Sequence, residues 1–158
     1  MAALTAEPTY VISLLEVVWG GTLVAITMAI HGCGMLAVLR TNGALKHCFA
    51  SHPSLFTSLF RIVFASWMIL VVHLFEIFWW ALFFFWQSAF PNASTCYYFA
   101  LNEYTTLGSS FHLPFHWRLL EGMLAMTGLM TFAWSTGVLL TLAQDFEHHR
   151  LQAPQQPR

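Results

Sequence analysis

The chain has 158 residues, of which 58% are hydrophobic, 16% aromatic and only 8% charged, a balance that excludes an ordinary soluble domain and makes lipid the expected solvent. A formal net charge of −1 leaves no basic surface for nucleic acid and no acidic tail for a cationic partner. Cys33, Cys48 and Cys96 are scattered, with neither a CxxC pair nor a disulfide-scaffold spacing, so they read as small apolar filler or plain loop residues.

Crossing a bilayer takes about 20 predominantly apolar residues, and three segments are long enough. The first lies within "VISLLEVVWGGTLVAITMAIHGCGMLAVLR", Val11 to Arg40. It lacks a basic leading region, follows Glu7 and is too long for a cleaved signal, so residues 1–40 are expected to keep it as a membrane helix. The connection 41–61 holds a turn-prone Asn42-Gly43 and a helix-start signal at Ser51-His52-Pro53-Ser54. Its last part, "SLFTSLFR", either begins the second helix or forms a short interfacial one. The second span is Ile62 to Trp86 and the third Leu119 to Leu142; the tail 143–158 ends in "LQAPQQPR", whose composition predicts disorder.

Lysine and arginine placement sets the expected orientation. Arg40, Lys46 and Arg61 flank the first connection and Arg150 and Arg158 follow the third span, against Arg118 alone on the other side. The positive-inside tendency therefore predicts an external N-terminus and a cytoplasmic connection and C-terminus. The expected location is the plasma membrane, or the inner membrane of a bacterium, as a multi-pass protein.

Between Trp86 and Arg118, Asn92 or Ser94 can cap a helix over about 94–104 that is too short to span and too apolar for water. Such a helix followed by a glycine-containing loop suggests a re-entrant pore loop. On periodicity alone, a helix lying on the membrane surface is the alternative. His112 and His116 follow, four apart around Pro114; four copies would form an external imidazole ring open to Zn²⁺ or protons, whereas two loop histidines alone are ordinary surface.

Ionisable groups inside spans are costly and usually paired or functional. His73 and Glu76 are three apart on one helical face, a spacing suited to a structural hydrogen-bonded pair, joined by His31, rather than a proton relay. Glu121 follows Arg118 at the same interval, where a salt bridge is expected. Thr127, Thr131 and Ser135 form a hydroxyl stripe that either lines an aqueous vestibule or bonds back to its own helix. Met123, Met126 and Met130 read as packing. No catalytic triad, paired carboxylates or three-ligand metal motif stands out, so neither catalysis, a resident metal nor a cofactor is expected.

"YYFALNEYTTLG" followed by "WRLLEGMLAMTGLMTFAWSTGVLLTL" resembles the pore helix, filter entrance and inner helix of the bacterial two-transmembrane-type potassium channel superfamily, and "HLFEIFWWAL" resembles its outer helix. The likeness covers about residues 72–142, with the first span as an additional N-terminal helix. It implies an all-α membrane protein of three transmembrane helices plus a re-entrant pore helix and filter-like loop, a homotetramer around a central pore. Residues 62–142 would be the pore module: outer helix 62–86, pore helix 94–104, filter-like loop 105–111 and inner helix 119–142. In this family the filter reads Thr-x-Gly-Tyr-Gly-Asp, with carbonyl and threonine oxygens facing a dehydrated cation.

After Thr105, residues Thr106, Leu107 and Gly108 match the first three positions, whereas Ser109, Ser110 and Phe111 replace Tyr, Gly and Asp. If family geometry holds, Ser110 takes a backbone conformation costing a non-glycine residue about 1–2 kcal/mol. Ser109 loses the ring that wedges the filter, and Phe111, beside His112 at the pore mouth, either closes the mouth or anchors the loop. Gly128 falls at the family's inner-helix hinge, though membrane glycines often serve close packing. Glu103 either buttresses the loop or faces water.

The function implied is passive conduction of K⁺, and of Na⁺ if selectivity is relaxed, with no cytosolic ligand-binding domain. The alternative is a non-conducting, channel-like scaffold that binds itself or a partner.

Overall fold

A computed structural model describes residues 10–48 and 55–152, with side chains over 10–48 and 56–147. Within these residues the chain is all-helical: α1 (Leu14–Cys48), α2 (Leu55–Trp86), the short α3 (Ala93–Tyr104), a 3₁₀ turn (Phe115–Trp117) and α4 (Leu119–Gln152). Three of these helices are long and apolar enough to cross a membrane.

The helices outrun the apolar segments that announce them. Asn42 and Gly43 lie inside α1 instead of making a turn, because the Asn42 amide is tied to α2 by accepting from the Arg61 guanidinium and donating to its carbonyl. "SLFTSLFR" joins one continuous α2 from Leu55 onward. The Ser51–Ser54 start signal and the end of the tail, 153–158, lie outside the described residues.

α1 starts with a capping box: Glu16 N–H donates to Ser13 Oγ at 3.2 Å, and Ser13 N–H donates to Glu16 Oε2 at 3.0 Å. Glu16 also accepts from the Leu119 N–H at 3.3 Å and from the Tyr10 hydroxyl at 2.9 Å. One carboxylate thus serves the first turns of α1 and α4, fixing those helices parallel with their N-termini together. At the opposite end Lys46 Nζ of α1 meets Asp145 of α4 at 3.0 Å. α2 runs antiparallel between these ends, since Trp80 reaches Thr27 and Arg61 reaches Asn42.

Two apolar clusters fill the bundle. One joins Trp80, Phe84, Phe99, Trp117, Leu120 and Leu124 near the α3 end; the other joins Met35, Val38, Ala65, Ile69 and Val138 towards the opposite end. Between them lies a layer of buried polar side chains. Many large apolar residues point outward, among them Phe75, Phe78, Leu129 and Trp134, as expected where lipid replaces water around the bundle.

Candidate functional site

All four helices contribute to the polar layer. His31 of α1, Glu76 of α2 and Tyr104 of α3 are each 0% exposed, and His73 of α2 is 5% exposed. His31 Nδ1 lies 2.9 Å from Glu76 Oε1 and His73 Nδ1 lies 3.5 Å from Glu76 Oε2. The Tyr104 hydroxyl contacts Glu76, lies 2.8 Å from His73 Nδ1 and meets Thr131 Oγ1 of α4 at 2.6 Å. Ser135 of α4 stands behind both rings, its Oγ 3.0 Å from His73 Nε2 and 3.4 Å from His31 Nε2. One turn above, Trp80 Nε1 donates to Thr27 Oγ1 at 2.9 Å and Thr27 donates to the Leu23 carbonyl at 2.8 Å.

Satisfying so many polar groups in an apolar interior is a strict requirement, and one assignment meets it over all the short contacts with neutral imidazoles and an ionised carboxylate. His31 donates from Nδ1 and Tyr104 from its hydroxyl to Glu76, His73 donates from Nδ1 to the Tyr104 oxygen, and Ser135 donates to His73 Nε2. His31 Nε2 is then left with only its 3.4 Å approach to Ser135 Oγ, the one slack contact in the layer.

The hydroxyl stripe on α4 faces this interior. Thr127 donates to the Met123 carbonyl at 2.6 Å, whereas Thr131 and Ser135 both bond to the layer. Gly128 is a close-packing site: a methyl group there would overlap the Tyr104 carbonyl, so α3 ends directly on the α4 backbone. Of the polar residues singled out in the spans, the structure therefore brings together His31, His73, Glu76, Thr131 and Ser135. Tyr104 was not anticipated as their partner; its signal was a phenol at the end of a short apolar helix. The Ser13–Glu16 capping box was also legible, as Ser-x-x-Glu before an apolar run, but not singled out.

The second candidate region begins where α3 ends. Asn92 occupies the N-cap position in extended conformation but makes no side-chain cap bond. At the C-terminus, Thr106 N–H donates to the Glu103 carbonyl and Leu107 N–H to the Asn102 carbonyl, both at 2.9 Å. This is a Schellman motif, with Thr106 at φ 60° in the position that glycine usually takes. Thr105 turns its hydroxyl back to the Leu101 carbonyl at 2.8 Å. Among the described residues positive φ occurs at Ser88, Thr106 and Gly108, so the strain expected at Ser110 falls on Thr106 instead. A β-branched residue there is an outlier.

From Thr106 the chain returns towards the start of α4 with little cover; Leu107 is 78% exposed and Gly108 has open space around it. Ser109 Oγ accepts from Phe111 N–H at 3.0 Å, a local side-chain turn. The half-exposed Phe111 ring rests edge-on against Phe90 and Tyr98. Glu103 looks back at this segment: burial, with the Glu121 charge, pushes its carboxyl up, and the Ser109 amide opposes that shift.

Glu121 does not pair with Arg118 as its spacing suggested. It accepts from Leu113 N–H at 2.6 Å and faces His112 at 3.4 Å, pinning the end of the loop, while Arg118 stacks over Phe115 at 4.9 Å. His116 lies against Trp117 in the 3₁₀ turn.

Compared with known protein families, characterised proteins and solved structures, the chain matches none.

Proposed function

We propose that the chain is the subunit of a tetrameric pore-loop cation channel whose loop 105–111 faces the axis. The observation that carries this is where α3 stops. Its last residue, Tyr104, contacts Glu76 and Thr131. At about 1.5 Å per residue, Glu76 lies roughly 15 Å from the Trp86 end of α2, about half the hydrocarbon thickness. The loop then climbs to Leu113, held by Glu121 near the start of α4. A short helix entering to mid-depth with an uncovered return strand is what a re-entrant pore element requires, because irregular backbone at that depth must line water or meet protein.

Four such loops bring the Thr106 hydroxyl and the carbonyls of Thr105, Thr106, Leu107 and Gly108 within reach of a dehydrated cation. Beyond Gly108, the Ser109 turn and the Phe111 contact replace a wedged outer filter, so K⁺ and Na⁺ both pass and selectivity is reduced. The end bearing Arg40, Lys46 and Arg61 faces the cytoplasm in this arrangement. Liposomes containing the purified protein should conduct both ions, and Thr106→Ala or Gly108→Ala should change the flux. Absence of cation flux across a range of voltage and pH overturns the proposal.

Phe111 favours one alternative, because its contacts with Phe90 and Tyr98 close the loop onto its own protomer. That is a non-conducting, channel-like scaffold. It is supported if the parent passes no ions but Ser109→Tyr, Ser110→Gly and Phe111→Asp together create conductance; a conducting parent removes it.

A further inference from the structure

The geometry points to a divalent transition-metal site in the polar layer, with His31, His73 and Glu76 as ligands and the Tyr104 oxygen as the fourth. It does not rest on ion conduction, since a chain that passes no cation can still hold a metal between its helices. Three features support it together.

The first is placement. One potential ligand atom from each of His31, His73 and Glu76 falls within 4.8 Å of the others. His31 Nδ1 lies 2.9 Å from Glu76 Oε1 and His73 Nδ1 lies 3.5 Å from Oε2, so the two rings flank the two oxygens of one carboxylate, with the Tyr104 oxygen against Oε2 and 2.8 Å from His73 Nδ1; seating an ion with bonds of 2.0–2.1 Å asks the closest of these donors to part to about 3.3 Å. The second is the supporting shell. Ser135 Oγ sits against Nε2 of both imidazoles. By accepting both Nε2–H groups it leaves each Nδ1 lone pair free for the centre, the usual way a hydrogen bond on one ring nitrogen fixes the other as a ligand. The third is charge. The Glu76 carboxylate is enclosed by His31, His73 and Tyr104, where a bound cation would answer its charge.

Two imidazoles with two oxygens suit Zn²⁺, Fe²⁺ or Co²⁺ rather than Ca²⁺ or Mg²⁺, which take oxygen ligands. With every ligand at least 95% covered, the ion enters as the helices assemble and exchanges slowly. The site would clamp α1, α2 and α3 at one level.

The test uses the full chain produced in medium supplemented with Zn²⁺ or Co²⁺, purified in detergent and washed with EDTA. Elemental analysis should find close to one metal ion per chain, the Co²⁺ form should show visible tetrahedral d–d bands, and X-ray absorption should give nitrogen and oxygen neighbours at about 2.0–2.1 Å. His31→Gln, His73→Gln and Glu76→Gln should each lower the content at least tenfold, and His112→Ala/His116→Ala should leave it unchanged. Should the buried variants fail to fold, the wild-type Co²⁺ spectrum decides. Less than a tenth of an ion per chain in the washed wild type, octahedral Co²⁺ bands, loss of metal in the His112→Ala/His116→Ala protein, or full retention by folded His73→Gln overturns the assignment.

Discussion

The polar layer and the return loop meet at Tyr104 but solve opposite problems. In the layer, groups from four helices close on one another and exclude solvent: Glu76 is 0% exposed and has His31, His73 and Tyr104 around it. The loop is held at its ends by the α3 cap and Glu121, and its middle, Leu107 and Gly108, touches little. Mutual satisfaction marks what the fold depends on, and the uncovered loop is where the proposed conduction path would lie. Variants in the two regions should therefore separate stability from the proposed conduction.

The largest effect is expected from Glu76→Ala, which leaves two imidazoles and a phenol without their anion. A loss of about 3–5 kcal/mol is expected from breaking a buried charged network, read by denaturant unfolding in micelles. Tyr104→Phe keeps the packing but removes the hydroxyl shared by Glu76, His73 and Thr131. It should cost about 1–3 kcal/mol for the groups left unpaired, as a lowered unfolding midpoint. Gly128→Ala sets a methyl against the Tyr104 backbone carbonyl, which no side-chain rotation relieves; it should cost at least as much, about 3 kcal/mol for overpacking, and should loosen the end of α3, seen as faster amide exchange at Thr105–Leu107.

Loop substitutions should invert this pattern. Thr106→Gly relieves the left-handed conformation and should stabilise by about 1–2 kcal/mol while altering liposome flux. Leu107→Ser should change stability by less than about 0.5 kcal/mol, as for other exposed positions, so a changed flux there would report on the conduction path alone. A Leu107→Ser protein that unfolds as readily as Glu76→Ala would erase the contrast between the regions.

The amino-acid order alone determined that three helices are long and apolar enough to cross a membrane, because runs of apolar residues of bilayer length have few alternatives in water or lipid. It also marked His31, His73 and Glu76 as residues needing partners, since charge in an apolar helix must be answered. It did not reveal where the helices end: Asn42-Gly43 reads as a turn until Arg61 of α2 holds Asn42 in register. Nor did Arg118 and Glu121, three apart, reveal that Glu121 prefers the orphan amide of Leu113.

Local spacing fixes what one helix can bring together, so His73–Glu76 was visible along the chain. The meeting of those two with His31, Tyr104, Thr131 and Ser135 is a matter of register between helices. It depends on Glu16 tying α1 to α4 and on Gly128 admitting the end of α3, contacts between residues far apart in sequence that only the packed bundle decides.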